Sequence, residues 1–195
     1  MPTIERLSPG DVRGAALWDA FVFACPQATF FHRAGWQDIL REVFHHDTHF
    51  LYAHDQGRIT GVLPLAHVKS LLFGKSLTSL PFAVYGGVIA DNDASAQALE
   101  QAAQRLAQSL RVDHLELRQL HRRHEEWPRQ ELYVTFRKAI LPQEEANMLA
   151  IPRKQRAMVR KGIKNGLKSE IDLGVDRFFA VYADNVHRQI GRAHV

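Results

Sequence analysis

Asp55-Gln56-Gly57-Arg58 lies between two apolar stretches, and this turn constrains the fold more than any other feature of the chain. Glycine accepts the positive φ that tight hairpin turns require. Residues 48–53 and 59–68 are therefore expected to be strands joined by the turn, and Pro64 in the second suggests a bulge or an exposed edge. Around this hairpin the punctuation alternates. Residues 3–7 read as a short first strand, and Ser8-Pro9-Gly10-Asp11 as a turn before a helix. The spacing predicts a helix over 15–24, with Leu17, Phe21 and Ala24 recurring and Trp18 and Val22 one place on. Pro26 ends it. Residues 28–32 form a loop, and 35–44 a second helix with Trp36, Ile39, Leu40 and Val43 on one face.

Beyond the hairpin, residues 71–80 hold a strand around Gly74, and 81–88 lead out of the sheet. Asn92 or Asp93 can cap a helix over 94–110, whose stripe is Leu99, Ala102, Ala103, Leu106 and Leu110. Strands are expected at 114–117 and 132–140, with a polar loop over 121–130 between them. Leu141-Pro142 marks a boundary. After it a helix begins near Glu144, is interrupted by Pro152, and continues to Gly166. Residues 168–173 read as a strand, and 175–187 as a helix with Phe178, Phe179 and Tyr182 on its apolar side. The class is α/β (α+β), with a mostly antiparallel central sheet flanked by helices.

Composition narrows the function classes. The 195 residues are 46% hydrophobic and 24% charged, which is globular rather than disordered. No apolar run approaches the ~18 residues needed to span a bilayer, and the first ten residues carry no signal-peptide core. One cysteine, Cys25, excludes an internal disulfide and is expected to be a buried, inert thiol. A cytoplasmic location is the expectation.

The charge is unevenly placed. Residues 153–168 hold seven cations, Arg153, Lys154, Arg156, Arg160, Lys161, Lys164 and Lys168, and no acid. Elsewhere 18 basic residues face 21 acidic ones, a net of −3. Pro152 suits the first turn of a helix. From there Val159, Ile163 and Leu167 make a narrow apolar stripe, beside a face carrying Arg153, Arg156, Arg160 and Lys164. Two readings stand for that face: a solvated basic surface, or a site for phosphate groups, which arginine grips bidentately. No duplex-DNA module is recognisable.

Other motifs are sparser. Eleven histidines include His45, His46, His49 and His54, but no His-Glu-x-x-His or Cys-x-x-Cys pattern occurs, so no metal site is expected. Tyr85-Gly86-Gly87 allows close backbone approach and can present two successive N–H groups to a ligand; a plain turn at a strand end is the alternative. Neither Gly-x-Gly-x-x-Gly nor a P-loop occurs. No Ser/His/Asp set or carboxylate pair singles out a catalytic residue.

Three stretches together carry a resemblance. They are Ile151-Pro152-Arg153-Lys154-Gln155-Arg156-Ala157-Met158-Val159-Arg160-Lys161-Gly162 with Gly166-Leu167, Ala28-Thr29-Phe30-Phe31-His32 with Trp36, and Ser79-Leu80-Pro81-Phe82-Ala83-Val84-Tyr85-Gly86-Gly87-Val88; Tyr133-Val134-Thr135-Phe136 before Leu141-Pro142 agrees. The sequence resembles FemAB-related acyltransferase-like proteins, nearest the subgroup associated with exosortase and exopolysaccharide loci.

That likeness implies two GNAT-like domains in tandem: residues 1–142 as the first, and 143–189 as the beginning of a second that opens with the basic helix. It implies transfer of an activated acyl group to an amine of a peptidoglycan or polysaccharide precursor. The acyl donor would be aminoacyl-tRNA or acyl-CoA as co-substrate, with no resident cofactor. Arg153, Lys154, Arg156, Arg160 and Lys161 would meet the phosphates of a nucleotide-linked precursor or a tRNA, with Tyr85, Gly86 and Gly87 lining the cleft. Such a transfer rests on positioning and oxyanion stabilisation, so it needs no conspicuous nucleophile. The chain lacks the Arg/Gln-x-x-Gly-x-Gly/Ala loop of acetyl-CoA-binding GNAT enzymes, which counts against simple acetyl transfer. A non-catalytic RNA- or anion-binding scaffold is the alternative. Residues 190–195 can be encoded by ATC-GGA-AGA-GCA-CAC-GTC, which resembles a sequencing adapter; the expectation is a truncated reading frame with a non-native tail.

Overall fold

A computed structural model describes residues 2–72, 74–130 and 134–190. In chain order the elements are β1 (Thr3–Arg6), α1 (Val12–Ala24), a 3-10 turn (Phe30–His32), α2 (Trp36–Glu42), β2 (Asp47–Asp55), β3 (Arg58–Ser70), β4 (Gly74–Ser79), β5 (Ile89–Ala90), α3 (Asp93–Leu110), β6 (His114–Glu116), α4 (Glu144–Leu149), α5 (Arg153–Lys164) and α6 (Asp176–Ile190). The chain divides into two units, Met1–Pro128 and Arg129–Val195.

The first unit is built on the hairpin. Its sheet runs β1-β2-β3-β4-β6, with β5 also paired to β3. Every pairing is antiparallel except β4 with β6, where Ser76, Leu77 and Thr78 run parallel to His114, Leu115 and Glu116. Parallel strands need a long crossover, and α3 supplies it. Helices cover both faces. Trp18, Val22 and Leu40 pack with Phe50, Val62 and Ala66 on one side; Leu99 and Ala103 of α3 pack with Leu51, Leu63, Leu65 and Leu77 on the other. The β3 residues Val62 to Ala66 are thus buried on both faces, which is why they read as an unbroken apolar run rather than an alternation.

Pro64 occupies neither a bulge nor an edge. It is fully buried in this interior strand, opposite Phe50. Its carbonyl accepts the Leu80 N–H at 3.0 Å, so Pro64 faces the β4 side. A hydrogen-bonded antiparallel pair normally exchanges two such bonds. Proline cannot return the second. The Leu80 carbonyl instead accepts the Ala83 N–H at 3.2 Å, and the ladder gives way to a turn.

Helix faces also depart from the expected stripes. In α1, Trp18 and Val22 are buried while Leu17 is exposed; the Trp18 ring stacks on Phe50, 5.4 Å between centroids, and its indole N–H donates to the His32 carbonyl at 2.6 Å. In α2 the buried pair is Gln37 and Leu40, with Ile39 and Val43 exposed. Gln37 donates to the Leu7 carbonyl at 3.1 Å, so a polar residue takes an inward place that apolar periodicity assigns elsewhere. Cys25 is half-buried at the rim of this core. The α3 helix starts as expected: Asn92 caps it by accepting the Ser95 N–H at 2.9 Å. Its buried Glu100 receives Arg123 at 2.8 Å and His124 at 2.9 Å, which ties the polar loop after β6 down onto the helix.

In the second unit, α4, α5 and α6 form where helical spacing places them. The expected strand at 132–140 is not formed over 134–140, and residues 131–133 lie outside the described part. Residues 168–173 also pair with no strand among the described residues. Both stretches are apolar enough for strands, but a strand needs an edge to bond to. No described residue from 129 to 189 is buried, and Ile163, Leu167, Phe178 and Phe179 are each more than 60% exposed. No helix among the described residues is long and apolar enough to cross a membrane.

Candidate functional site

In sheets with parallel strands, ligands gather where the strands end at their carboxyl side. Here that place is the end of β4 at Ser79 and of β6 at Glu116, and residues 80–88 fold across it. Three groups of Arg118 hold them: its N–H, its carbonyl and its guanidinium. The Arg118 N–H donates to Ser79 Oγ at 2.7 Å. The Arg118 carbonyl accepts the N–H groups of Gly86 and Gly87, at 3.2 and 3.0 Å. The Arg118 guanidinium donates to the Ala83 carbonyl at 2.7 Å and pairs with Glu116 at 2.7 Å. The two successive N–H groups expected to face a ligand are therefore engaged within the protein. The glycines serve close packing: a Cβ on Gly86 would lie 2.5 Å from Leu80 Cβ, and one on Gly87 3.0 Å from the Arg118 carbonyl oxygen. Tyr85, between the turn and these glycines, is half-buried.

The far side of the segment is pinned by His32. Its Nδ1 accepts the Thr29 N–H at 3.1 Å and lies 3.0 Å from Thr29 Oγ1, so the ring proton sits on Nε2. That Nε2–H donates to the Gly87 carbonyl at 3.2 Å. Burial pushes the imidazole down to about 4, although its bond to the Gly87 carbonyl opposes the shift. His32 is thus a neutral clamp with both ring nitrogens occupied, not a general base. It joins two of the three stretches that carry the family resemblance.

The turn that follows Leu80 has an unusual occupant. The Ala83-to-Leu80 hydrogen bond encloses Pro81 and Phe82, and Phe82 has a φ of +69°. That third turn position ordinarily takes glycine. Left-handed backbone costs a residue with a side chain roughly 1–2 kcal/mol. Leu80, at +43°, and His45, at +56°, share the condition. The Phe82 ring stacks on Phe44 at 4.1 Å between centroids and 20° between planes, and lies 5.8 Å and 7° from His46. Burial lowers the His46 pKa. A stacked aromatic pair returns about 0.5–1.5 kcal/mol. Phe82 remains 59% exposed and Phe44 38%.

The five predicted cations of the second unit, Arg153, Lys154, Arg156, Arg160 and Lys161, are all on α5. Arg153, Lys154, Arg160 and Lys161 are exposed. Arg156 has another duty: its Nη2 donates to the carbonyls of Leu149 and Ile151 at 2.8 and 2.9 Å, closing the end of α4 across the Pro152 break. It is a capping residue, with only part of its donor set left for an anion.

The predicted residues therefore fall in two groups, Tyr85, Gly86 and Gly87 in the first unit and the five cations in the second. Sequence reasoning passed over His32, Phe82 and Arg118. His32 and Phe82 were visible only as members of motifs, and Arg118 only as the residue just past an expected strand.

No family model matches the chain, and no curated protein does. Among solved structures, it is similar to a GNAT family acetyltransferase of Staphylococcus aureus subsp. aureus USA300_TCH1516 at 10% identity, covering 73% of this chain and 98% of that one, TM-score 0.36. It is similar to a transcriptional regulator of Bacillus halodurans C-125 at 10% identity, covering 88% and 96%, TM-score 0.40. A structure described as a probable acetyltransferase matches at 13% identity, covering 69% and 99%, TM-score 0.41.

Proposed function

We propose that the chain serves acyl or aminoacyl transfer on the FemAB-related pattern, with an amine of a nucleotide-linked cell-envelope precursor as acceptor. One observation carries this reading. The stretches 28–32 and 79–88, which bear the resemblance, are knotted together by the His32–Gly87 bond at the carboxyl end of the parallel strand pair. Residues 1–142 then correspond to a first GNAT-like domain and 143–189 to the opening of a second. The first would position reactants. The exposed Arg153, Lys154, Arg160 and Lys161 would hold phosphates of the precursor or of a tRNA donor.

The test is an incubation of the protein with aminoacyl-tRNA or acyl-CoA and a UDP-linked peptide precursor, followed by mass spectrometry of the precursor. Salt-sensitive precursor binding is expected, weakened in an Arg153→Ala, Arg160→Ala double variant. Failure to bind any nucleotide-linked acceptor overturns the reading. A second reading, an anion- or RNA-binding scaffold without catalysis, is favoured by the engagement of both His32 nitrogens and both glycine N–H groups. It predicts binding without turnover.

A further inference from the structure

We propose that Phe82 is a stacking platform for a nucleobase. The inference deepens the reading above, because it takes from it the identity of the ring; its test scores binding and thermal stability, not acyl transfer, so its failure leaves that reading standing.

The turn after Leu80 is a place where glycine would relieve the backbone, yet Phe stands there at φ +69°. The stacking gain from Phe44 is of the same size as the strain, and 59% exposure leaves little burial to tip the balance. Stability alone therefore gives no reason for the ring. Strain of this kind is retained where a side chain is used.

The geometry states the use. The rings of Phe44, His46 and Phe82 are parallel within 20°. The most exposed of the three, Phe82, is held by a backbone turn and not by a flexible stem. The Ala83 carbonyl next to it is fixed by Arg118, and the segment's other end by His32. Val43 and Val84, the chain neighbours of Phe44 and within two positions of Phe82, are both exposed and carry no hydrogen-bonding group. A flat ring laid on such a surface gains stacking without edge recognition, which suits any base.

The experiment measures binding of uridine diphosphate and of the trinucleotide CCA by calorimetry, and melting temperature in parallel, for the wild-type chain and for Phe82→Gly and Phe82→Trp. The two probes separate a nucleotide-linked precursor from an RNA end as the source of the base. Wild type is expected to bind at least one of them. Phe82→Gly should weaken that binding about tenfold or more while its melting temperature stays level or rises. Phe82→Trp should bind as tightly or more tightly. The proposal is overturned if neither probe binds, if Phe82→Gly binds as well as wild type, or if Phe82→Gly melts more than about 5 °C lower, since the ring would then be structural. Loss of binding in Phe82→Trp also overturns it.

Discussion

The buried imidazole of His32 donates from Nε2 to the carbonyl oxygen of Gly87, 3.2 Å away and 55 positions further along the chain. This bond joins the turn before α2 to the segment that crosses the end of the parallel pair. Because Nδ1 is also satisfied by Thr29, the ring can do this only when neutral and in a single tautomer.

Replacing His32 with alanine removes the clamp and opens a hole beside Trp18. Stability should fall by about 2–4 kcal/mol in urea unfolding. The diagnostic signal is local: amide exchange at Gly86 and Gly87 should accelerate beyond the global change. Unaltered relative protection at those two amides would show that Arg118 alone holds the segment.

Acid should loosen the first unit. Burial holds both His32 and His49 at about 4, and the Arg6 guanidinium adds to the effect at His49. The unfolded imidazole titrates near 6.5, so between these values the unfolded chain binds more protons. Stability is therefore full above about pH 6.5 and declines as pH falls toward 4. At pH 5 each group costs about 2 kcal/mol. The urea midpoint should drop between pH 7.5 and 5, and His49→Leu should flatten that slope. Equal midpoints at the two pH values in wild type would contradict the buried neutral state.

Gly86→Ala should destabilise the first unit by about 1–3 kcal/mol, because its new methyl meets Leu80 Cβ at 2.5 Å, an atom that cannot swing aside. Gly87→Ala meets the far end of Gln119 at 2.5 Å, which can move, and should cost less. Gly35→Ala, with nothing within 4 Å, is the control and should stay within about 0.5 kcal/mol. Thermal melts of the three rank them.

Arg156 and Arg160 should separate under mutation. Arg160→Ala removes an exposed cation and should lower the salt slope of anion binding by about one. Arg156→Ala should reduce it less and instead fray α4, seen as lost helicity by circular dichroism. Arg156→Lys should not restore it, because one ammonium on a flexible stem does not reproduce the guanidinium fork across Leu149 and Ile151. A full rescue by lysine would refute the capping role.

Elements marked by local chemistry were legible in the sequence: the Asp55–Arg58 turn, the Asn92 cap, the Pro152 break. Those that depend on distant partners were not. Gln37 faces inward because the Leu7 carbonyl needs a donor, and periodicity cannot register that. Residues 134–140 and 168–173 have strand-like composition without a strand edge to join. At the candidate site, Tyr85-Gly86-Gly87 was found through its glycines, but the reason for them was the approach of Leu80 and Arg118 rather than of a ligand. No histidine spacing marks His32, because its partner Gly87 lies 55 positions along the chain and only the fold brings the two together.

Pro64 has a consequence for how the sheet can vary. Any other amino acid at that position would bring back an amide hydrogen whose natural acceptor is the Leu80 oxygen, already taken by Ala83. Two donors would then compete for one oxygen, and β3 and β4 could zip one rung further at the expense of the bend that displays Phe82. The notch in the sheet is kept open by a proton the chain does not have.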